Sequence, residues 1–439
     1  MTDASDTGFD RRTVLRSLGA GAVATTAATA ATTPATADDA ETEHYHNPVG
    51  PIGFGDVTAI QDEDGTYYVY GTETPRDIIP IARGDSLHEM EYIGQALESV
   101  PEWHQSDDAG VWAPDINYYD GEYRIYYSLS VWGSENAGIG LATSDTPEGP
   151  FEDQGPVLES DDLYVTNTID ADFNVVDGTP YLIWGSWNGI NCVELNEAGD
   201  DYVEDTEFEV AGNLREGPYM IRENGYYYLF VSTGRCCEGF DSTYGVEVGR
   251  AEEFTGPYLT PDGTDLTHLD RHHNGYAVMS ATNQFIGPGH NSAIKDDQGD
   301  WWMLYHVEGH AGQDQAIRTM MLDRIQWTDD DWPVVACNGH PSESSPVPGA
   351  EFSCDDPAFE TSLQQFETAT PTQTPTATAT ETATRTPTAT GTATDAATPT
   401  TDGGDGGGGG VPGMGVLPAL AGAGAAAAAA LRRARDGEE

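Results

Sequence analysis

The stretch Leu214–Tyr244, LREGPYMIRENGYYYLFVSTGRCCEGFDSTY, decides the fold. It sets a carboxylate beside a Gly-Pro turn (Glu216, Gly217, Pro218), then a hairpin turn at Asn224-Gly225, an aromatic run and a vicinal cysteine pair. Asn-Gly between apolar runs is a strong hairpin signal, because a two-residue type I′ turn needs left-handed backbone at both central positions. The pattern recurs in DGTYYVY from Asp64, DGEYRIYYS from Asp120, DGTPYLIWGS from Asp177 and QGDWWMLYH from Gln298. The turn glycines Gly65, Gly121, Gly178, Gly225 and Gly299 lie 56, 57, 47 and 74 residues apart, room for one four-stranded unit each. Five such units predict an all-β fold, a five-bladed β-propeller. A two-sheet sandwich is the alternative, but it would not require one turn composition to recur.

In a propeller the strand leading into each hairpin lines the central axis. Counting nine residues back from each turn glycine lands on Asp56, Trp112, Ile169, Glu216 and His290, with Asp170 one residue later in the third unit. These residues sit in strand-like contexts, FGDVTAI, NTIDADF and GPGHNSA, where burial is expected. Two Asp, one Glu and one His converging on an axis point to a site rather than to a solvated face. Each also has a plainer reading: a hairpin cap or ion-pair partner for Glu216, a satisfied core histidine for His290, ordinary blade packing for Trp112. Arg318 either neutralises the axial acids or pairs along a strand.

The formal net charge of -56 and the 74 Asp and Glu against 18 Lys and Arg exclude nucleic acid as a partner, since phosphate contacts need clustered cations. The middle of the chain is too rich in aromatic strands to be an acidic disordered segment. A surface adapted to high salt accounts for the charge, because a Debye length of ~3 Å at about 1 M removes most self-repulsion, and a halophilic, archaeal source is expected. Of five cysteines, Cys337 and Cys354 are the expected disulfide. Cys236 and Cys237 form a strained vicinal bridge or stay reduced, and no spacing suggests zinc.

The ends differ from the middle. Residues 1–37 carry Arg11-Arg12, a small-residue apolar run and an Ala-Thr-Ala cleavage pattern, similar to a twin-arginine signal peptide. Residues 38–366 form the propeller domain, and residues 367–410 are a Thr/Pro-rich then Gly-rich disordered stalk. Residues 411–439 combine Pro-Gly-Met, a weakly apolar run and three arginines, and resemble a membrane or sorting segment. An extracellular protein is expected, held at the surface by that anchor, its membrane contact confined to it, and monomeric.

At these residues the chain resembles the family 43 glycoside hydrolases, and within them the endo-1,5-α-L-arabinanases. The likeness spans roughly Asn47–Pro333 and is carried by VWAPDINYYDGEYRIYYSLSVWGSENAGIGLATS, by NTIDADF and by EGPYMIRENGYYYLFVSTGRCCEGFDSTYGVEVGRAEEFTGPY. The resemblance implies hydrolysis of α-1,5-linked arabinan with inversion. It makes Asp56 the general base, Glu216 the general acid and Asp170 the carboxylate that orients the acid and tunes its pKa. It makes His290 a residue facing a calcium ion at the axis, and puts Trp112, Asn167 and Ser186 along the sugar cleft. This chain has Gly55-Asp56-Val57 where many relatives have His-Asp-Pro. The chemistry suits three acids from three blades, because inversion needs a protonated carboxyl and an ionised one about 6.5–9.5 Å apart with water between. The alternatives are an exo-acting α-L-arabinofuranosidase or β-xylosidase, or a non-catalytic carbohydrate-binding propeller, which would lack an axial carboxylate.

Overall fold

The computed structural model describes residues 42–361, apart from 52, 105, 107, 164, 270–274, 357 and 358. The expected signal peptide, stalk and C-terminal segment lie outside the described residues. The regular structure of the described residues is almost wholly β-strand, with five four-stranded antiparallel sheets, each built from strands consecutive in sequence. Blade I is Thr58–Gln61, Tyr67–Tyr70, Pro80–Ser86 and Glu89–Gln95; blade II is Gly110–Tyr119, Glu122–Ser130, Ala137–Ser144 and Glu152–Glu159. Blade III is Asp172–Val176, Thr179–Trp184, Ile190–Glu194 and Phe208–Ala211; blade IV is Arg215–Glu223, Tyr226–Thr233, Gly245–Ala251 and Tyr276–Met279. Blade V is Phe285–Lys295, Trp301–His310, Thr319–Trp327 and Pro333–Val335. The first strands neighbour one another in a closed ring from I to V and back to I, so the propeller expected from the repeat is the fold.

The apolar residues form five buried clusters, one between each successive pair of blades, with Tyr70, Tyr126, Trp184, Tyr228 and Trp302 among their largest side chains. Burial between blades, not at the centre, is what frees the axis for polar groups. The ring is closed outside the blades. His44–His46 pairs with Ser342–Pro346, and Asn47 Nδ2 donates to the Leu322 carbonyl at 2.9 Å while its Oδ1 accepts the Leu322 N–H at 3.0 Å. The expected Cys337–Cys354 disulfide is formed just beyond blade V.

The hairpins are of two kinds. Asp120-Gly121, Asp177-Gly178 and Asn224-Gly225 are two-residue turns with both residues left-handed, as type I′ geometry requires. Blades I and V use five-residue turns instead, in which Asp62 and Asp296 accept the N–H groups of Asp64 and Thr66, and of Gln298 and Asp300. The mixture shifts the count back to the axis by one residue. Nine residues before the glycine is correct for Asp56 and His290, but goes one residue too far in blades II to IV, where the axial residue is eight before it.

Candidate active site

The equivalent axial residues are Asp56, Ala113, Asp170, Gly217 and His290, with left-handed φ values of 50, 40, 63, 54 and 49°. Such a conformation turns the backbone N–H out of the sheet ladder, where it needs another acceptor. Four of the five find it on the second strand of the preceding blade or just past its end. Thr72 Oγ1 accepts from Ala113 at 2.9 Å, Ser128 Oγ from Asp170 at 2.9 Å, Ser232 Oγ from His290 at 2.8 Å, and His306 Nδ1 from Asp56 at 3.1 Å. Glu216 and Trp112 therefore stand one residue upstream of the axial position, beside bulges in their strands.

Asp56 is buried among cations and donors. Its Oδ2 accepts from Arg318 Nη1 at 2.8 Å and from the Thr72 hydroxyl at 2.5 Å, and its Oδ1 lies 3.2 Å from His290 Nδ1. Burial alone would raise its pKa; Arg318, then His290, His306 and Thr72, outweigh it and hold the carboxyl well below the usual range. Asp56 is thus an ionised carboxylate. Because His306 Nδ1 accepts the Asp56 N–H, the hydrogen-bond pattern assigns its proton to Nε2, which faces Glu308 Oε1 at 3.4 Å. Arg318 Nη2 reaches the same oxygen at 3.2 Å. Against its burial, Arg318 and His306 bring Glu308 down to about 2.

Asp170 behaves in the opposite sense. Burial first, then the charges of Glu216 and Asp56, push its carboxyl well above the usual range, although its Oδ2 accepts the Gly217 N–H at 3.2 Å. Glu216 is buried, and its Oε2 accepts from Ser186 Oγ at 2.8 Å. The His290 ring packs on Gly217, where an added Cβ would come within 3.1 Å of it. Burial lowers the His290 pKa, and Nδ1 is the ring nitrogen 3.2 Å from Asp56 Oδ1.

The residues of this site therefore offer a carboxylate kept charged by Arg318, a buried Asp170 whose pKa is raised, and a buried Glu216 held by a donated hydroxyl, the set of acids that general acid–base hydrolysis of a glycoside calls for. The sequence model of the glycosyl hydrolases family 43 matches residues 45–333. The protein is a family 43 glycoside hydrolase. Its relatives include an extracellular exo-α-(1→5)-L-arabinofuranosidase of Cellvibrio japonicus, 30% identical over 302 residues, which cover 62% of this chain and 84% of that one. An extracellular endo-α-(1→5)-L-arabinanase of Bacillus subtilis is 34% identical over 242 residues, 53% of this chain and 70% of the relative. The solved α-L-arabinanase of Cellvibrio cellulosa in complex with arabinohexaose superposes with a TM-score of 0.60 at 28% identity, over 65% of this chain and 96% of that one.

In this family 43 hydrolase the three expected acids and His290 are brought together at one end of the axis. Trp112 is half-buried at the mouth, edge-on to the exposed Trp132 at 6.3 Å between ring centres. Asn167 Nδ2 donates to the Ser186 carbonyl at 3.1 Å, and the Ser186 hydroxyl donates to Glu216. Sequence reading left Arg318 undecided and passed over Thr72, His306 and Glu308. His306 was legible: it follows its turn glycine by seven residues, as Thr72, Ser128 and Ser232 follow theirs. Gly55 also gains a reason, since a Cβ there would meet Arg318 Cδ at 2.6 Å. Cys236 and Cys237 are free thiols with Sγ atoms 2.7 Å apart, and Cys237 Sγ accepts from Arg318 Nη2 at 2.9 Å.

Proposed function

We propose that the enzyme cleaves internal α-1,5 linkages of arabinan outside the cell, by a single displacement that inverts the anomeric carbon. Asp56 takes a proton from water as that water attacks the anomeric carbon, and the glycosidic oxygen leaves with the proton of Glu216. Asp170 holds the acid's turn by accepting the Gly217 N–H. The observation that carries this reading is the meeting of three buried acids from three blades, Asp56 bound by Arg318, Glu216 bound by the Ser186 hydroxyl and Asp170 on the Gly217 N–H; the arabinan named for the relatives supports the substrate. A second reading, exo action, has the C. japonicus relative behind it. Secretion is supported by the relatives named extracellular, and twin-arginine export, surface anchoring and a monomeric state complete the proposal.

Calcium would fit only as a largely hydrated ion beside His290 Nε2. Among the described residues no group of three or more His, Cys, Asp or Glu stands ready to cage a metal, and calcium prefers oxygen ligands. Bound there, the ion would supply positive charge at the axis. Digestion of debranched arabinan at high salt tests the whole reading. A ladder of oligomers of inverted anomeric configuration is expected; one short product alone would favour exo action, and no product would leave a binding propeller.

A further inference from the structure

The hydroxyl of Ser186 is out of step with the rest of the ring. In blades I, II, IV and V the side chains of Thr72, Ser128, Ser232 and His306 accept the axial N–H of the following blade. In blade III that place, seven residues after the turn glycine, is held by Gly185, whose N–H donates to the Ile169 carbonyl at 2.9 Å, and Ser186 stands one residue further on. The Trp187 N–H donates to the Arg215 carbonyl at 2.9 Å just as the Glu73 N–H donates to that of Val111 at 3.0 Å. Gly185 has no side chain to accept it, so the axial N–H of Gly217 goes to Asp170 Oδ2 at 3.2 Å, and the Ser186 hydroxyl donates to Glu216 Oε2 at 2.8 Å. Ser186 is 3% exposed, and its carbonyl is gripped by Asn167 Nδ2 at 3.1 Å and the Asn188 N–H at 2.8 Å. That hydroxyl is committed within the protein, unlike the cleft-lining role implied by the resemblance.

We propose that Ser186 is the positioning residue of the general acid, its hydroxyl free for that task because Asp170 caps the axial N–H of Gly217. A hydroxyl donating to Oε2 fixes the carboxyl rotamer and makes Oε2 the acceptor oxygen. The acidic proton is thereby left to Oε1, ready for the leaving group. The inference rests on the reading of Glu216 as general acid. It predicts an effect confined to bond cleavages that need a proton.

The test compares Ser186→Ala, Ser186→Thr and Glu216→Ala on debranched arabinan and on a dinitrophenyl α-1,5-arabinobioside, whose phenolate departs unprotonated. Ser186→Ala is expected to lose roughly 10- to 100-fold in kcat on arabinan, part of the 10²–10⁴ that a positioned acid contributes. Its KM should stay within about twofold, and the aryl substrate should be cleaved at close to the parent rate. Ser186→Thr, which restores the hydroxyl, is expected to recover most of the loss. Equal losses on both substrates in Ser186→Ala, a change in KM alone, or a Thr variant as poor as Ala would each overturn the proposal while Glu216→Ala kept its preference for the aryl substrate. Were Glu216→Ala itself to lose both activities equally, the assignment of the acid would fail, and the proposal with it.

Discussion

Replacing Arg318 with methionine removes the cation that keeps Asp56 charged while preserving most of the bulk beside Gly55. Arg318 Nη1 lies 2.8 Å from Asp56 Oδ2 and Nη2 lies 3.2 Å from Glu308 Oε1. Unit charges about 4 Å apart interact by ~4 kcal/mol at an effective dielectric near 20, equivalent to about 3 pH units. Asp56 acts as a base only when ionised. With Arg318 gone, its burial is opposed by His290, His306 and Thr72 alone, so its pKa rises and the acidic limb of kcat/KM moves up by roughly 2 to 3 units. The assay is the pH profile on debranched arabinan at fixed high salt, with Arg318→Lys as the charge-retaining control, expected to move the limb by less than about one unit. A melting temperature lowered in line with ~3–5 kcal/mol should accompany the Met variant, since two buried carboxylates lose their partner. An acidic limb that stays in place while activity falls equally at every pH would refute the electrostatic role of Arg318.

Three further outcomes are expected. Gly217→Ala places a Cβ 3.1 Å from the His290 ring in backbone of φ 54°; a loss of ~1–2 kcal/mol from the left-handed strain and a sharp fall in kcat should follow, and a fully active variant would contradict the packing. Asp323, pushed up to about 7 by burial, accepts from the Tyr305 hydroxyl at 2.6 Å and the Ser342 N–H at 3.2 Å. Its raised value means that its contribution to stability is full below the unfolded pKa near 4 and is lost as pH rises to about 7; Asp323→Asn, a mimic of the protonated acid, should flatten that part of the curve of melting temperature against pH, and an unchanged slope would exclude Asp323 as its source. Chelation with EDTA should lower melting temperature or activity, with recovery on added calcium; a protein indifferent in both would remove calcium from the proposal.

Much of the architecture was legible because turns are local. Asn224-Gly225 and its equivalents announce a hairpin through backbone angles that only a few residues adopt cheaply, and their recurrence announces a repeat. The acids Asp56, Asp170 and Glu216 were legible for a related reason: carboxylates inside aromatic strands are out of place unless a site wants them. The register was not. Whether a hairpin has two residues or five depends on the caps made by Asp62 and Asp296, and a one-residue error exchanges Gly217 for Glu216.

The linear order of residues determined by itself that this chain forms five blades, that three acids and a histidine meet at the axis, and which family it joins. Only the tertiary structure decided which acid is charged and which keeps a proton, because that depends on Arg318 arriving 262 residues after Asp56 in the chain. It decided equally that Ser186 serves Glu216, since only the fold sets its hydroxyl 2.8 Å from a carboxylate 30 residues away while Asp170 takes the Gly217 N–H. Turn chemistry is written between neighbours in the chain; protonation and hydrogen-bond choice are set by groups that only closure of the ring brings within 3 or so Å of one another.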